Sequence, residues 1–111
     1  MIIYIAGPMT GLKDYNAACF NRAARALRAR GHEVRNPAQL DQDWSKYEDY
    51  IEVGLVMLKQ CDSIVFLPGH EKSNGARLEA KTAKECGLVD RSELLVNVWA
   101  ELNADYVGAR R

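Results

Sequence analysis

The chain has 111 residues, of which 48% are hydrophobic and 27% are charged, and fifteen basic side chains balance fifteen acidic ones. This length fits one domain, 1–111, with a core of its own, and the composition excludes a chain that is disordered throughout. A formal net charge of zero argues against a general nucleic-acid-binding protein, which usually carries a basic surplus.

The three cysteines are widely spaced and form no CxxC pair, so the sequence predicts neither a zinc site nor a disulfide framework. Reduced thiols are typical of the cytoplasm, where we expect the protein to be. No apolar run reaches the roughly 18 residues of a membrane-spanning helix. We therefore expect no membrane, no metal and no cofactor among its partners.

Apolar runs alternate with amphipathic segments along most of the chain. Runs such as 2–6 are typical of strands buried on both faces, and apolar stripes with a helical period predict helices that end near Gly31 and Gly87. In chain order the predicted elements are a strand over 2–6, a helix over 14–30, a strand over 33–35, a helix over about 45–60, a strand over 62–67 and a helix from 75 to 85 or 86.

Two segments are less regular. Ser45 and Glu48 form a capping box for the second helix, and Gly54 inside that helix costs roughly 1 kcal/mol relative to alanine. In the tail, 94–102 fits a strand or a helix equally well, and we expect 108–111 to be frayed.

The alternation of strands and helices predicts a single α/β domain: a Rossmann-like open parallel sheet of about four to five strands, flanked by helices. In such sheets the ligand lies beyond the carboxyl ends of the strands. Two segments of this sequence satisfy that placement, 7–11 after the first strand and 68–79 after the third.

The first of these segments contains Gly7, Pro8, Met9 and Thr10. Glycine after a strand lets the backbone approach a ligand and offer its N–H groups. The segment is neither a GxGxxG nor a Walker motif. It is therefore either a ligand contact or a tight turn that makes room for the first helix.

The second segment leads through Ser73 and Gly75 into a helix, with Glu79 about one turn inside. A helix N-terminus binds anions, so Ser73 and Gly75 are candidate phosphate contacts. The helix dipole favours an ionised Glu79, and an ionised carboxylate can attack a sugar carbon. The alternative is that Ser73 caps the helix and Glu79 is an ordinary acid of its first turn.

These residues together resemble the nucleoside 2-deoxyribosyltransferase-like superfamily, in particular small members found in phages and prophages. The resemblance covers about 1–88. The segments that carry it are 3–11 (IYIAGPMTG), 31–34 (GHEV) with Asn36-Pro37, 61–69 (CDSIVFLPG), and Ser73, Gly75 and Glu79 at matching offsets.

The resemblance implies a homodimer or larger assembly that binds a deoxynucleoside or its 5′-monophosphate. It implies that Glu79 attacks the anomeric carbon and displaces the base, after which a free base or water resolves the glycosyl-enzyme. It places Tyr4 and the turn 7–10 around the sugar, Ser73 at the 5′-hydroxyl or phosphate, and Asn36 among the substrate-binding residues.

The sequence departs from this family at Gly54, where active relatives carry an aspartate. Glu52 is near, but two positions along a helix rotate a side chain by about 200°. Thr10 also stands where nucleotide hydrolases of the superfamily carry a basic residue, for which Lys72 or Arg77 could compensate. One alternative is therefore a catalytically impaired nucleotide-binding module, for sensing or sequestration. A structural or partner-binding protein is another.

Overall fold

The structure is a computed structural model that describes residues 1–39 and 47–110. The cap predicted at Ser45 lies outside these described residues.

Four strands form one all-parallel sheet in the order β2-β1-β3-β4. The registers place Tyr4 of β1 beside Arg35 of β2 and Ile64 of β3. This confirms the predicted α/β class, with four strands and four flanking helices. The strands are β1 Ile2–Ala6, β2 Glu33–Arg35, β3 Ser63–Phe66 and β4 Val89–Asp90, and the helices are α1 Ala17–Ala29, α2 Tyr47–Leu58, α3 Asn74–Glu85 and α4 Trp99–Ala109.

The side chains of β1 alternate between the two faces of the sheet, as the strand geometry requires. Ile3 and Ile5 are buried in the core that contains α1 and α4, whereas Tyr4 belongs to a second core that contains Leu58 of α2 and Ala83 of α3. Tyr4 is fully buried, so β1 brings its hydroxyl group into the interior of the domain.

The start of the first helix differs from the prediction. The first helix does not start at residue 14, because Asp14, Tyr15 and Asn16 all have positive φ and form a left-handed turn before α1. Asp and Asn tolerate this conformation better than most residues. The Asn16 amide donates to the Pro8 carbonyl at 3.0 Å and so ties the start of α1 to the turn after β1.

The tail is helical from Ser92 to Ala109. A 3₁₀ segment over Ser92–Val98 leads into α4, which reaches Ala109. The predicted fraying of 108–111 is therefore wrong for Ala109, which is buried. An ion pair of 2.6 Å between Arg22 of α1 and Asp105 holds α4 on the domain. Among the described residues, no helix is long and apolar enough to cross a bilayer.

Candidate functional site

A cleft of about 300 Å³ opens at the carboxyl ends of β1 and β3. Its lining comes from three places: the turn 8–10 with Leu12 after β1, the segment from Gly69 to Gly75, and Tyr106 of α4. The sequence predicted the first two. The structure thus brings Pro8, Met9, Thr10, Ser73 and Gly75 together in one site.

The N-terminus of α3 borders this cleft. The Ser73 hydroxyl oxygen accepts a hydrogen bond from the Ala76 N–H at 3.2 Å, which is the N-cap that the sequence offered as an alternative. The amides of Asn74 and Gly75 belong to the first turn and have no acceptor inside the helix. Both residues line the cleft, so these groups are placed to bind an anion.

Positive charge at the cleft comes from the side chain of Lys72, which lies in the lining and is exposed. Arg77 is not part of the lining; its guanidinium donates to Asn74 Oδ1 at 2.9 Å. Of the two cations proposed to compensate for Thr10, the structure therefore places Lys72 in the cleft.

Tyr4 and Glu79 meet in the interior of the domain, and neither residue lines the cleft; Glu79 follows the lining residue Gly75 by about one turn of α3. The Tyr4 hydroxyl donates a short hydrogen bond to Glu79 Oε2. The two side chains are 0% and 2% exposed, respectively. Tyr4 reaches Glu79 because β1 directs it to the face of the sheet that α2 and α3 cover. No described cation forms an ion pair with this carboxyl group.

Burial raises the pKa of Glu79 to about 8, although the hydrogen bond from Tyr4 acts in the opposite direction. The expectation that the helix dipole keeps Glu79 ionised is therefore wrong. The dipole acts mainly within the first turn, whereas Glu79 follows the Ser73 cap by six positions and loses its hydration. Most molecules carry a protonated Glu79 at neutral pH.

Helix α2 packs on this pair through Gly54. A Cβ added at Gly54 would lie 2.8 Å from the Tyr4 hydroxyl and 3.3 Å from Glu79 Oε2. Any side chain at this position would therefore displace the pair, which explains glycine inside a helix. Position 54 faces the Tyr4–Glu79 pair, whereas Glu52 of the same helix is exposed.

Two other predicted residues are structural. A Cβ at Gly7 would lie 2.8 Å from Leu67 Cβ, so glycine lets the turn after β1 approach the end of β3. The Asn36 amide donates to Asn21 Oδ1 at 2.9 Å, and its Oδ1 accepts from Ala38 N–H at 3.0 Å. Neither residue lines the cleft.

Leu12, directly after the segment 7–11, also lines the cleft, and Tyr106 is the lining residue that lies far from both predicted segments. It lies four residues after the buried Leu102, so it shares a face of α4 with the core. The four-residue spacing indicates a shared face only if this segment is a helix, and the sequence did not distinguish a helix from a strand there. Within 1–39 and 47–110, no three His, Cys, Asp or Glu side chains converge to hold a metal ion.

The chain belongs to the family DUF4406, a domain of unknown function, whose match covers residues 1–89. No curated protein matches the sequence. The matched residues contain the turn 8–10, Gly54, the α3 N-terminus and Glu79, whereas Tyr106 lies beyond them.

Proposed function

We propose that this protein binds a deoxynucleoside or its 5′-monophosphate in the cleft and cleaves or exchanges the N-glycosidic bond through Glu79. The observation that carries the proposal is the Tyr4–Glu79 pair, a buried ionisable group beneath the backbone of Gly54. Glu79 lies about one turn of α3 from Gly75, which lines a cleft suited to an anionic ligand.

The pair is costly to the fold. A buried carboxyl group with no cationic partner among the described residues loses its hydration and gains only the Tyr4 hydrogen bond. Gly54 adds a helix-interior glycine, at roughly 1 kcal/mol relative to alanine. Two locally unfavourable residues therefore meet at one point, which is typical of functional sites.

The arrangement along α3 fits a nucleotide. Gly75 lines the cleft and Glu79 is four residues further, so both lie on one helix face about one turn apart. A 5′-phosphate at the N–H groups of Asn74 and Gly75 would lie about one helical turn from Glu79. The proposed reaction requires the anomeric carbon of that nucleotide to reach Glu79.

The chemistry requires Glu79 to lose its proton first. Because its pKa is raised to about 8, Glu79 is mainly protonated at pH 7, and its ionised fraction grows as the pH rises. The carboxylate oxygen forms a bond to the anomeric carbon as the N-glycosidic bond breaks. The base leaves with that electron pair and takes up a proton. Water or a second base then attacks the same carbon and releases Glu79. Because the ionised carboxylate is the reactive form, the rate of base release should rise with pH towards about 8.

A second candidate is a nucleotide-binding module that leaves its ligand intact. It is favoured by the burial of Glu79, which is 2% exposed, and by Gly54, which provides no second carboxylate. In this case the cleft binds the nucleotide, and the Tyr4–Glu79 pair supports the fold.

A base-release assay separates the two candidates. Deoxynucleosides and their 5′-monophosphates would be incubated with the protein, with and without an added free base, and analysed by chromatography. Glu79→Ala should abolish release or exchange, and Glu85→Ala should retain it, because Glu85 is an exposed acid at the end of the same helix. Thermal unfolding of both variants checks the fold.

The outcomes are distinct. Turnover that survives in Glu79→Ala would refute the nucleophile. No product, with tight calorimetric binding of an intact nucleotide, would establish the second candidate. Neither product nor binding would overturn both candidates and leave a structural or partner-binding protein.

The proposal also includes a cytoplasmic homodimer or larger homo-oligomer, as the resemblance implies. The three cysteines are free, which fits a reducing compartment. Sedimentation velocity of the full chain would test the oligomer.

A further inference from the structure

Tyr106 forms one wall of the cleft, and the proposed reaction assigns no role to it. Its ring packs directly on the backbone of Gly69: a Cβ at that glycine would come within 2.6 Å of the Tyr106 hydroxyl. Gly69 also has a φ of +84°, which favours glycine independently. The positive φ and the close contact with the Tyr106 ring therefore both favour glycine at position 69.

The position of the ring is set by its neighbours on α4. Leu102 is buried in the core, and the adjacent Asp105 is paired with Arg22 of α1. The Arg110 guanidinium lies 5.8 Å from the ring centroid, within reach of a cation–π interaction. The ring is therefore held in place before any ligand arrives.

Tyr106 differs chemically from the rest of the lining. Among the described residues of the cleft it is the one aromatic side chain. Its hydroxyl has no hydrogen-bond partner in the described part of the chain, so it is available to donate and to accept. The α3 N-terminus and Lys72 supply the groups for an anion. The cleft therefore combines a site for a charged group with a site for a flat, partly polar ring.

We propose that Tyr106 is a specificity-determining residue that contacts the base of the nucleotide, through its ring and its hydroxyl, while the α3 N-terminus holds the phosphate. The inference rests on the proposed ligand class but not on cleavage. It assigns recognition of the base to α4, outside the family-matched residues 1–89.

Calorimetric titrations would test this in the Glu79→Gln background, which removes the nucleophile and keeps the ligand intact. The probes are the four deoxynucleoside 5′-monophosphates and 2-deoxyribose 5-phosphate, which lacks a base. Tyr106→Leu should weaken nucleotide binding by about tenfold or more, as expected for a lost base–aromatic contact, and should change the affinity for the sugar phosphate less than about twofold.

Two further variants sharpen the result. Tyr106→Phe keeps the ring and should change the ranking among the four bases, because it removes only the hydroxyl; it also keeps the test available if Tyr106→Leu does not fold. Trp99→Leu is the matched control, since Trp99 is a partly exposed aromatic residue of α4 that does not line the cleft. It should bind like the parent.

Equal losses for nucleotide and sugar phosphate, or no loss, would overturn the role of Tyr106. No nucleotide binding by the parent would overturn it together with the proposed function. Nucleotide binding that depends on Tyr106, without base release by the wild type, would refute cleavage and leave the assignment of Tyr106 standing.

Discussion

Two successive turns of α3 differ in the solvent exposure of their polar groups. The first turn keeps Ser73, Asn74 and the free amides at an open cleft, where water or a ligand can satisfy them. The second turn buries Glu79 against Tyr4, beneath Gly54. The first arrangement costs the fold little, because helix starts are commonly polar. The second is expensive, and this cost is why we assign the chemistry to it.

The largest expected effect is the pH dependence of stability. Burial raises the pKa of Glu79 from 4.5 to about 8, so between these values the folded chain binds a proton that the unfolded chain has released. The stability from this group is complete below about pH 4.5 and is lost as pH rises to about 8, at up to about 1.4 kcal/mol per pH unit.

Urea unfolding at several pH values between 5 and 8 would measure this, with Glu79→Gln as the control because it cannot titrate. The free energy of unfolding of the wild type should fall more steeply with pH than that of the variant. Parallel curves would show that Glu79 is ionised and solvated, and the contrast between the two turns would disappear.

Tyr4→Phe should break the pair from the other side. The substitution removes the hydroxyl that donates to Glu79 Oε2 and leaves this buried oxygen without that hydrogen bond. We expect the free energy of unfolding to fall by about 1–3 kcal/mol. The hydrogen bond lowers the pKa of Glu79, so its loss should raise that pKa further and move base release to higher pH. Urea unfolding and a pH–rate profile would record both effects, and an unchanged pH profile would contradict the pairing.

Gly54→Ala and Gly108→Ala form a matched pair. Alanine should stabilise a helix by roughly 1 kcal/mol relative to glycine, and Gly108 has open space for the added Cβ. At Gly54 the Cβ meets Tyr4 and Glu79, and we expect a net loss of about 1–2 kcal/mol from overpacking. Thermal unfolding should shift in opposite directions, and a stabilised Gly54→Ala would show that α2 does not rest on the pair.

The smallest effect concerns the cleft. Ser73→Ala removes the cap on Ala76 and should cost about 1 kcal/mol. Ser73→Asp restores a cap and a favourable charge for the helix dipole, so it should recover stability, but its carboxylate should repel a phosphorylated ligand. Thermal unfolding measures the capping role of Ser73, and calorimetric titration measures its role in ligand binding. Equal affinity of the Ser73→Asp variant and the wild type for a phosphorylated ligand would show that the phosphate does not bind at the start of α3.

The sequence by itself determined the parts that depend on neighbours along the chain. The predicted strands over 2–6 and 62–67 correspond to β1 and β3, the Ser73 cap is at the start of α3, and the alternation of elements predicted the parallel sheet. It follows from that topology that 7–11 and 68–79 meet at one edge. Each of these predictions rests on local periodicity or on a capping residue, which the sequence displays directly.

Only the tertiary structure decided the properties that arise between distant residues. The protonation of Glu79 depends on Tyr4, 75 positions away, and on the burial around it. The role of Gly54 depends on the same two side chains, and the wall of the cleft depends on Tyr106 reaching Gly69 from the C-terminal helix. A pKa and a cleft depend on desolvation and packing across the whole domain, and no local pattern in the sequence encodes them.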